Sequence, residues 1–104
     1  MINRGGEKIY PREIEEFLLT QPGVRSAAVV AASDEVLGQR PVAYVVPAAD
    51  PAGPDLADAL RAACSTALPR PKRPTEFCLV PELPLGVTGK VSRRRLRELA
   101  TATR

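Results

Sequence analysis

Lys90 is the residue of this chain best placed to do chemistry. Pro84-Leu85-Gly86-Val87-Thr88-Gly89-Lys90 puts one lysine at the tip of a loop with two glycines and a proline, directly before a basic helical stretch, Ser92 to Ala100. The glycines let the backbone approach a ligand closely. The ammonium is a mobile point charge with three donors, suited to phosphate or carboxylate oxygens. By spacing alone the simpler reading is a solvated lysine in a surface turn. A second glycine-rich stretch, Gly5-Gly6-Glu7-Lys8, lies near the other end of the chain. Taken alone, residues 4–8 fit a plain hairpin turn as well as a loop that lines a ligand.

The remaining chemistry-bearing residues narrow the field. The chain has no histidine, so a zinc site lacks ligands and the usual general base is missing. Cys64 and Cys78 form no CxxC motif, and neither has a neighbour that would mark it as a nucleophile. A self-contained hydrolase is not expected on these grounds, and the chain reads as one piece of an active site. A metal site is not expected. The net charge of +3 is concentrated in two runs, Arg70–Arg73 and Arg93–Arg97, and suits acidic ligands such as nucleotides, coenzyme A phosphates or an acidic protein. Aromatics make up 4% of residues, which argues against a stacking platform for nucleic acid. The Arg93-Arg94-Arg95-Arg97 cluster reads first as a solvated basic helix face, with contact to an acidic ligand or an acidic protein as the alternative. Glu13, Glu15 and Glu16 read as the exposed face of their helix and a charge complement to its N-terminus. No apolar run reaches membrane-spanning length and no signal peptide is visible. Two unremarkable cysteines suit a reducing, cytoplasmic setting.

These residues must be held by a small scaffold. With 104 residues there is room for one domain and a modest core. Ile2 to Ile9 reads as a hairpin turning at Gly5-Gly6. Pro11 opens a helix that runs to about Thr20, with Ile14, Phe17 and Leu18 at helical spacing. Ser26 to Ala32 reads as a strand, Ser33 to Arg40 as a polar turn, and Pro41 to Val46 as the next strand. In that strand Val42, Tyr44 and Val46 share one face, and Ala43 and Val45 the other. Ala48 to Pro54 reads as a linker, and Asp55 as a cap for the next helix. That helix carries Leu56, Leu60, Ala63, Cys64, Ala67 and Leu68 in its apolar stripe. Prolines enforce an extended Pro69–Pro74. Thr75 to Val80 reads as a strand, and the last helix turns Leu96 and Leu99 inward. The expected fold class is α+β: a small β-hairpin plus a three-stranded sheet, packed with about three helices.

Read together, the Gly-Lys loop and Ile2-Asn3-Arg4-Gly5-Gly6-Glu7-Lys8-Ile9-Tyr10-Pro11-Arg12-Glu13-Ile14-Glu15 resemble the C-terminal subdomain of the adenylate-forming superfamily. That superfamily includes acyl-CoA synthetases, carrier-protein-loading adenylation domains and luciferases. Pro22-Gly23-Val24, Ala27-Ala28-Val29-Val30, Asp34 with Leu37-Gly38-Gln39-Arg40, and Leu68 to Pro74 fit in the same order, so the resemblance runs from residue 2 to about 100. It implies that residues 1–104 are a single C-terminal subdomain. The hinge residue would lie just upstream of Met1, and a large N-terminal domain would supply the ATP, Mg and acyl sites. The family joins a carboxylic acid to ATP, releases pyrophosphate, and passes the acyl group to a phosphopantetheine thiol of coenzyme A or a carrier protein. By this resemblance Lys90 is the adenylation lysine, with Gly89 in its lead-in. Gly5, Gly6, Glu7 and Lys8 form the loop lining the pantetheine channel. The partners implied are the N-terminal adenylation domain, the acid and an acyl or aryl carrier protein, with neither nucleic acid nor membrane.

Two positions depart from the pattern. Tyr10 stands where a serine often caps the helix. Leu37 stands where many acyl-CoA synthetases carry a tryptophan suited to stacking on adenine; here the stretch is closer to aryl-acid enzymes that load carrier proteins. A rival reading keeps the fold as a stand-alone module that docks on a carrier protein without catalysis. A third, a small basic nucleic-acid binder, lacks a recognition-helix motif.

Overall fold

The computed structural model of the chain describes residues 2–48, 56–84 and 91–102. Ile2–Arg4 (β1) and Glu7–Ile9 (β2) form the expected hairpin, paired Arg4 to Glu7 across the two glycines. Gly5 has φ +58° and Gly6 φ +92°. Positive φ at both central residues is the primed turn that matches strand twist.

Pro11–Leu19 is α1, with proline in its first turn. Its N-cap, Tyr10, makes no side-chain cap bond, as the departure at that position implied. Ile14 and Leu18 are fully buried. Val24–Asp34 (β3) and Gly38–Pro47 (β4) form one long antiparallel ladder, paired from Val24–Pro47 to Asp34–Gly38. The polar turn expected over Ser33–Arg40 shrinks to residues 35–37. Polarity misled there because the polar side chains are satisfied within the sheet. Arg40 is 6% exposed; its guanidinium donates to the Ser33 carbonyl and, at 2.9 Å, to Glu76.

Leu56–Ala67 is α2, holding Leu60 and Cys64 in the core; Ala67, expected inward, is exposed. Asp55 lies outside the described residues. The segment expected to be extended over Pro69–Pro74 instead contains a 3-10 turn, Arg70–Lys72. Proline's φ suits a helical turn, and the turn brings carbonyls together around one guanidinium, that of Arg4. Arg4 Nη1 donates to the carbonyls of Arg70 (3.5 Å), Pro71 (3.2 Å) and Arg73 (3.4 Å). Glu76–Leu79 is β5 and Arg93–Ala102 is α3, where the Ser92 hydroxyl accepts from the Arg95 amide in the manner of an N-cap.

The α+β class is as expected, but the hairpin and the remaining strands form one five-stranded sheet. β3 takes one edge of β4. Its other edge is shared: β1 pairs at Gly38, and β5 runs parallel beside Val42 to Val45. β4 is covered on both faces, which explains its unbroken apolar run. Ala43 and Val45 pack with Ile14, Leu18, Leu60 and Cys64. Val42 and Tyr44 pack with Leu96 of α3. The side chain of Leu99 lies outside the described residues.

Candidate functional site

The glycine hairpin is fixed by three polar bonds. The Gly5 amide donates to the Leu37 carbonyl at 2.9 Å, the Gly6 amide to Asn3 Oδ1 at 3.1 Å, and the Asn3 amide to Gln39 Oε1 at 2.8 Å. A methyl group on Gly5 would stand 3.0 Å from Leu37 Cδ2, whereas one on Gly6 would meet nothing within 4 Å. Gly5 is thus closed in by its own domain, and Gly6 is open to whatever comes from outside. Glu7 and Lys8 are exposed beside it.

The turn that carries Leu37 is held by Asp34, whose Oδ1 accepts from the amides of Val36 and Leu37, each at 2.9 Å. These two bonds, Leu37 first, hold the Asp34 carboxyl below its ordinary value of 3.8. A depressed carboxylate supports the turn above its unfolded pKa and loses that support as pH falls through the lower folded value. The Val36 and Leu37 amide resonances are therefore expected to titrate together with a midpoint below 3.8. An NMR titration with a midpoint at or above that value would contradict the Asp34 geometry.

Arg4, Gly5, Glu7, Leu37, Arg70 and Pro71 line a cleft of about 240 Å³ between the hairpin, the Asp34 turn and the 3-10 turn. Three segments that are far apart in sequence meet here. The Arg70–Arg73 run is less available than its charge suggested. Lys72 pairs with Glu13 at 2.7 Å and Arg73 Nε donates to the Leu68 carbonyl at 2.9 Å. Arg70 remains as a cation beside apolar Leu37 and Pro71, a combination suited to a flat heterocycle with phosphate attached.

Lys90 and Gly89 lie outside the described residues. The chain on either side of them is described, and it sits elsewhere. The Ser92 amide donates to the Pro84 carbonyl at 2.7 Å, which ties the two ends of the loop together. Val91 and Leu83 line a second cleft, of about 310 Å³, with Ser26 and Val46. Ser26 pairs with Val46 near the open end of the β3–β4 ladder, and Leu37 lies at its turn. The eleven residues of β3, at strand rise, separate the two ends by roughly 30 Å.

Two sequence readings need correction. Glu15 is not on an exposed face: it is 7% exposed and accepts from the Val29 amide at 2.7 Å. Arg93 is exposed but not simply solvated, because it forms a two-pronged ion pair with Glu15, one bond at 2.8 Å. The signal was in the spacing. Glu15 shares the helical stripe of Ile14 and Leu18, and a carboxylate on an apolar stripe demands a partner.

The model of the AMP-binding enzyme C-terminal domain matches residues 13–90. The chain belongs to that family. It is 49% identical over 96 residues to a sulfoacetate–CoA ligase of Cupriavidus necator, covering 92% of this chain and 18% of the relative. It is also similar to a Mycobacterium tuberculosis fatty acyl CoA synthetase, with TM-score 0.85 and 35% identity, over 99% of this chain and 20% of the other. An o-succinylbenzoate CoA synthetase from Bacillus subtilis, solved with a product analogue, gives TM-score 0.81 and 37% identity, over 93% and 19% of the two chains. The chain therefore spans about a fifth of the length of the proteins it matches.

Proposed function

We propose that this domain serves an ATP-dependent acid–thiol ligase, presenting one end to each half-reaction. In the first, a carboxylate oxygen of the acid attacks the α-phosphorus of ATP, and the bond to pyrophosphate breaks. Two anions must meet, and charge grows on the phosphoryl oxygens. The Lys90 ammonium orients the pair and offsets that charge. In the second, the thiol sulfur attacks the acyl carbon, the bond to AMP breaks, and the thiol proton passes to solvent. Gly6, with no side chain and open space before it, lets the pantetheine arm past. The cleft by Leu37, Pro71 and Arg70 takes the nucleotide end of coenzyme A. ATP and its Mg are held by the N-terminal domain, as is the acid.

The observation that supports this reading is that the glycine hairpin joins the sheet at the Asp34–Gly38 end of the β3–β4 ladder, whereas Leu83 and Val91, which flank the Gly-Lys stretch, lie beside Ser26 and Val46 at the other end. On this reading a rotation of the domain brings each end to the reaction centre in turn. Coenzyme A is favoured as acceptor over a carrier protein by the names of the relatives, which are CoA ligases. Cys64 and Cys78 are free thiols, in keeping with a cytoplasmic enzyme.

The test is acid-dependent ATP–pyrophosphate exchange, measured on the ligase that carries this domain and on the 104-residue chain alone. Exchange is expected only in the former. Exchange by the chain alone would overturn the division of labour.

A further inference from the structure

Arg4 ends β1 at the point where three strands meet. Its backbone pairs with Glu7 of β2 on one side and with Gly38 of β4 on the other. Its side chain leaves the sheet for the 3-10 turn, where Nη1 lies 3.2 to 3.5 Å from the carbonyl oxygens of Arg70, Pro71 and Arg73. Bonds in a 3-10 turn are poorly aligned, so a turn of three residues is weak by itself. Its carbonyls converge with their negative ends together, and a cation among them offsets that repulsion. The turn has further ties. The Lys72 amide donates to the Pro69 carbonyl at 2.9 Å, and the Arg73 amide to the Arg70 carbonyl at 3.2 Å. The Lys72 ammonium pairs with Glu13 of α1 at 2.7 Å, and the Thr75 amide donates to the Pro41 carbonyl of β4 at 2.9 Å. Those ties hold the turn to α1 and the sheet. The bonds from Arg4 hold it to the glycine hairpin. Arg70 and Pro71 line the cleft from the turn, and Gly5, Glu7 and Leu37 line it from the strand ends. The spacing between these two groups is therefore set at Arg4.

We propose that Arg4 is a positioning residue for the thiol acceptor. By holding the 3-10 turn against the hairpin it fixes the width of the cleft, and with it the preference for a thiol that carries a nucleotide over one that does not. The inference rests on the role given above to this cleft, that it takes the nucleotide end of coenzyme A. Nη1 is engaged with the three carbonyls, so Arg4 acts through Arg70 and Pro71.

The experiment compares thioester formation with coenzyme A and with pantetheine, which lacks the nucleotide. It uses the intact ligase and its Arg4→Lys, Arg4→Met and Arg70→Ala variants. Hydrogen exchange of the Lys72 and Arg73 amides, which close the turn, is followed in the same proteins. Lysine keeps a point charge among the carbonyls, and methionine keeps only an apolar stem. Expected for Arg4→Met is faster exchange at both amides and a fall of about 10-fold in kcat/KM for coenzyme A relative to pantetheine. That is the worth of one charge-assisted hydrogen bond from a displaced Arg70, and the change lies in KM for coenzyme A. Arg4→Lys falls between wild type and Arg4→Met in both measurements; should Arg4→Met not fold, the same two readouts in Arg4→Lys decide. Unchanged amide exchange overturns the proposal, because Arg4 then does not hold the turn. Faster amide exchange with a wild-type ratio of the two thiols overturns it as well. Arg70→Ala separates the proposal from the reading beneath it. If Arg70→Ala keeps the wild-type ratio, the cleft does not take the nucleotide end, and that reading fails with the proposal. If Arg70→Ala lowers the ratio while Arg4→Met does not, the role of Arg4 alone fails.

Discussion

Replacing Lys90 with alanine in the intact ligase is expected to lower adenylate formation by about 10²–10³-fold, the usual cost of losing one preorganised charge at a developing anion. Transfer from supplied acyl-adenylate to coenzyme A should persist, because the glycine hairpin proposed to serve it sits at the Asp34–Gly38 end of the ladder, away from Leu83 and Val91 beside Ser26 and Val46. Thermal unfolding of the variant, measured alongside, separates loss of this charge from loss of the fold. Pyrophosphate exchange and single-turnover thioester formation, measured separately, check both halves. Exchange within a few-fold of wild type would make Lys90 an ordinary surface lysine.

Gly6→Leu carries the opposite expectation: thioester formation falls by about 100-fold, and exchange is spared. The structure separates two causes that sequence alone merged. Any side chain at φ +92° carries backbone strain, of the order of 1–2 kcal/mol. Gly6→Ala measures that cost by itself, because its methyl group meets nothing within 4 Å of the domain. The further loss from alanine to leucine then reports obstruction of the incoming arm. If alanine and leucine lose thioester formation equally, the glycine is there for the turn alone.

Much of this was legible before the structure, and the failures share one cause. α1 and α2 announced themselves through Ile14 and Leu18 and through Leu60 and Cys64, spaced to fall on one helical face. The β1–β2 turn followed from paired glycines. The reading failed where a polar residue is satisfied by a partner distant in sequence. Arg40 looked like turn because its partner Glu76 is 36 positions on. Glu15 looked solvated because Arg93 is 78 positions away. Local charge patterns assume water on the far side, and burial beside a remote partner breaks that assumption. The same holds for the cleft at Leu37: each of its three segments was singled out in the sequence, but their meeting depends on Arg4 gathering the carbonyls of Arg70, Pro71 and Arg73.

The central claim is that opposite ends of one small domain serve successive steps. It is tested most directly by assaying pyrophosphate exchange and thioester transfer side by side in Lys90→Ala and Gly6→Leu. The expected result is a crossover: the first variant loses exchange and keeps transfer, and the second keeps exchange and loses transfer. Parallel loss of both activities in both variants would contradict it, and would mean that the two motifs act at one place.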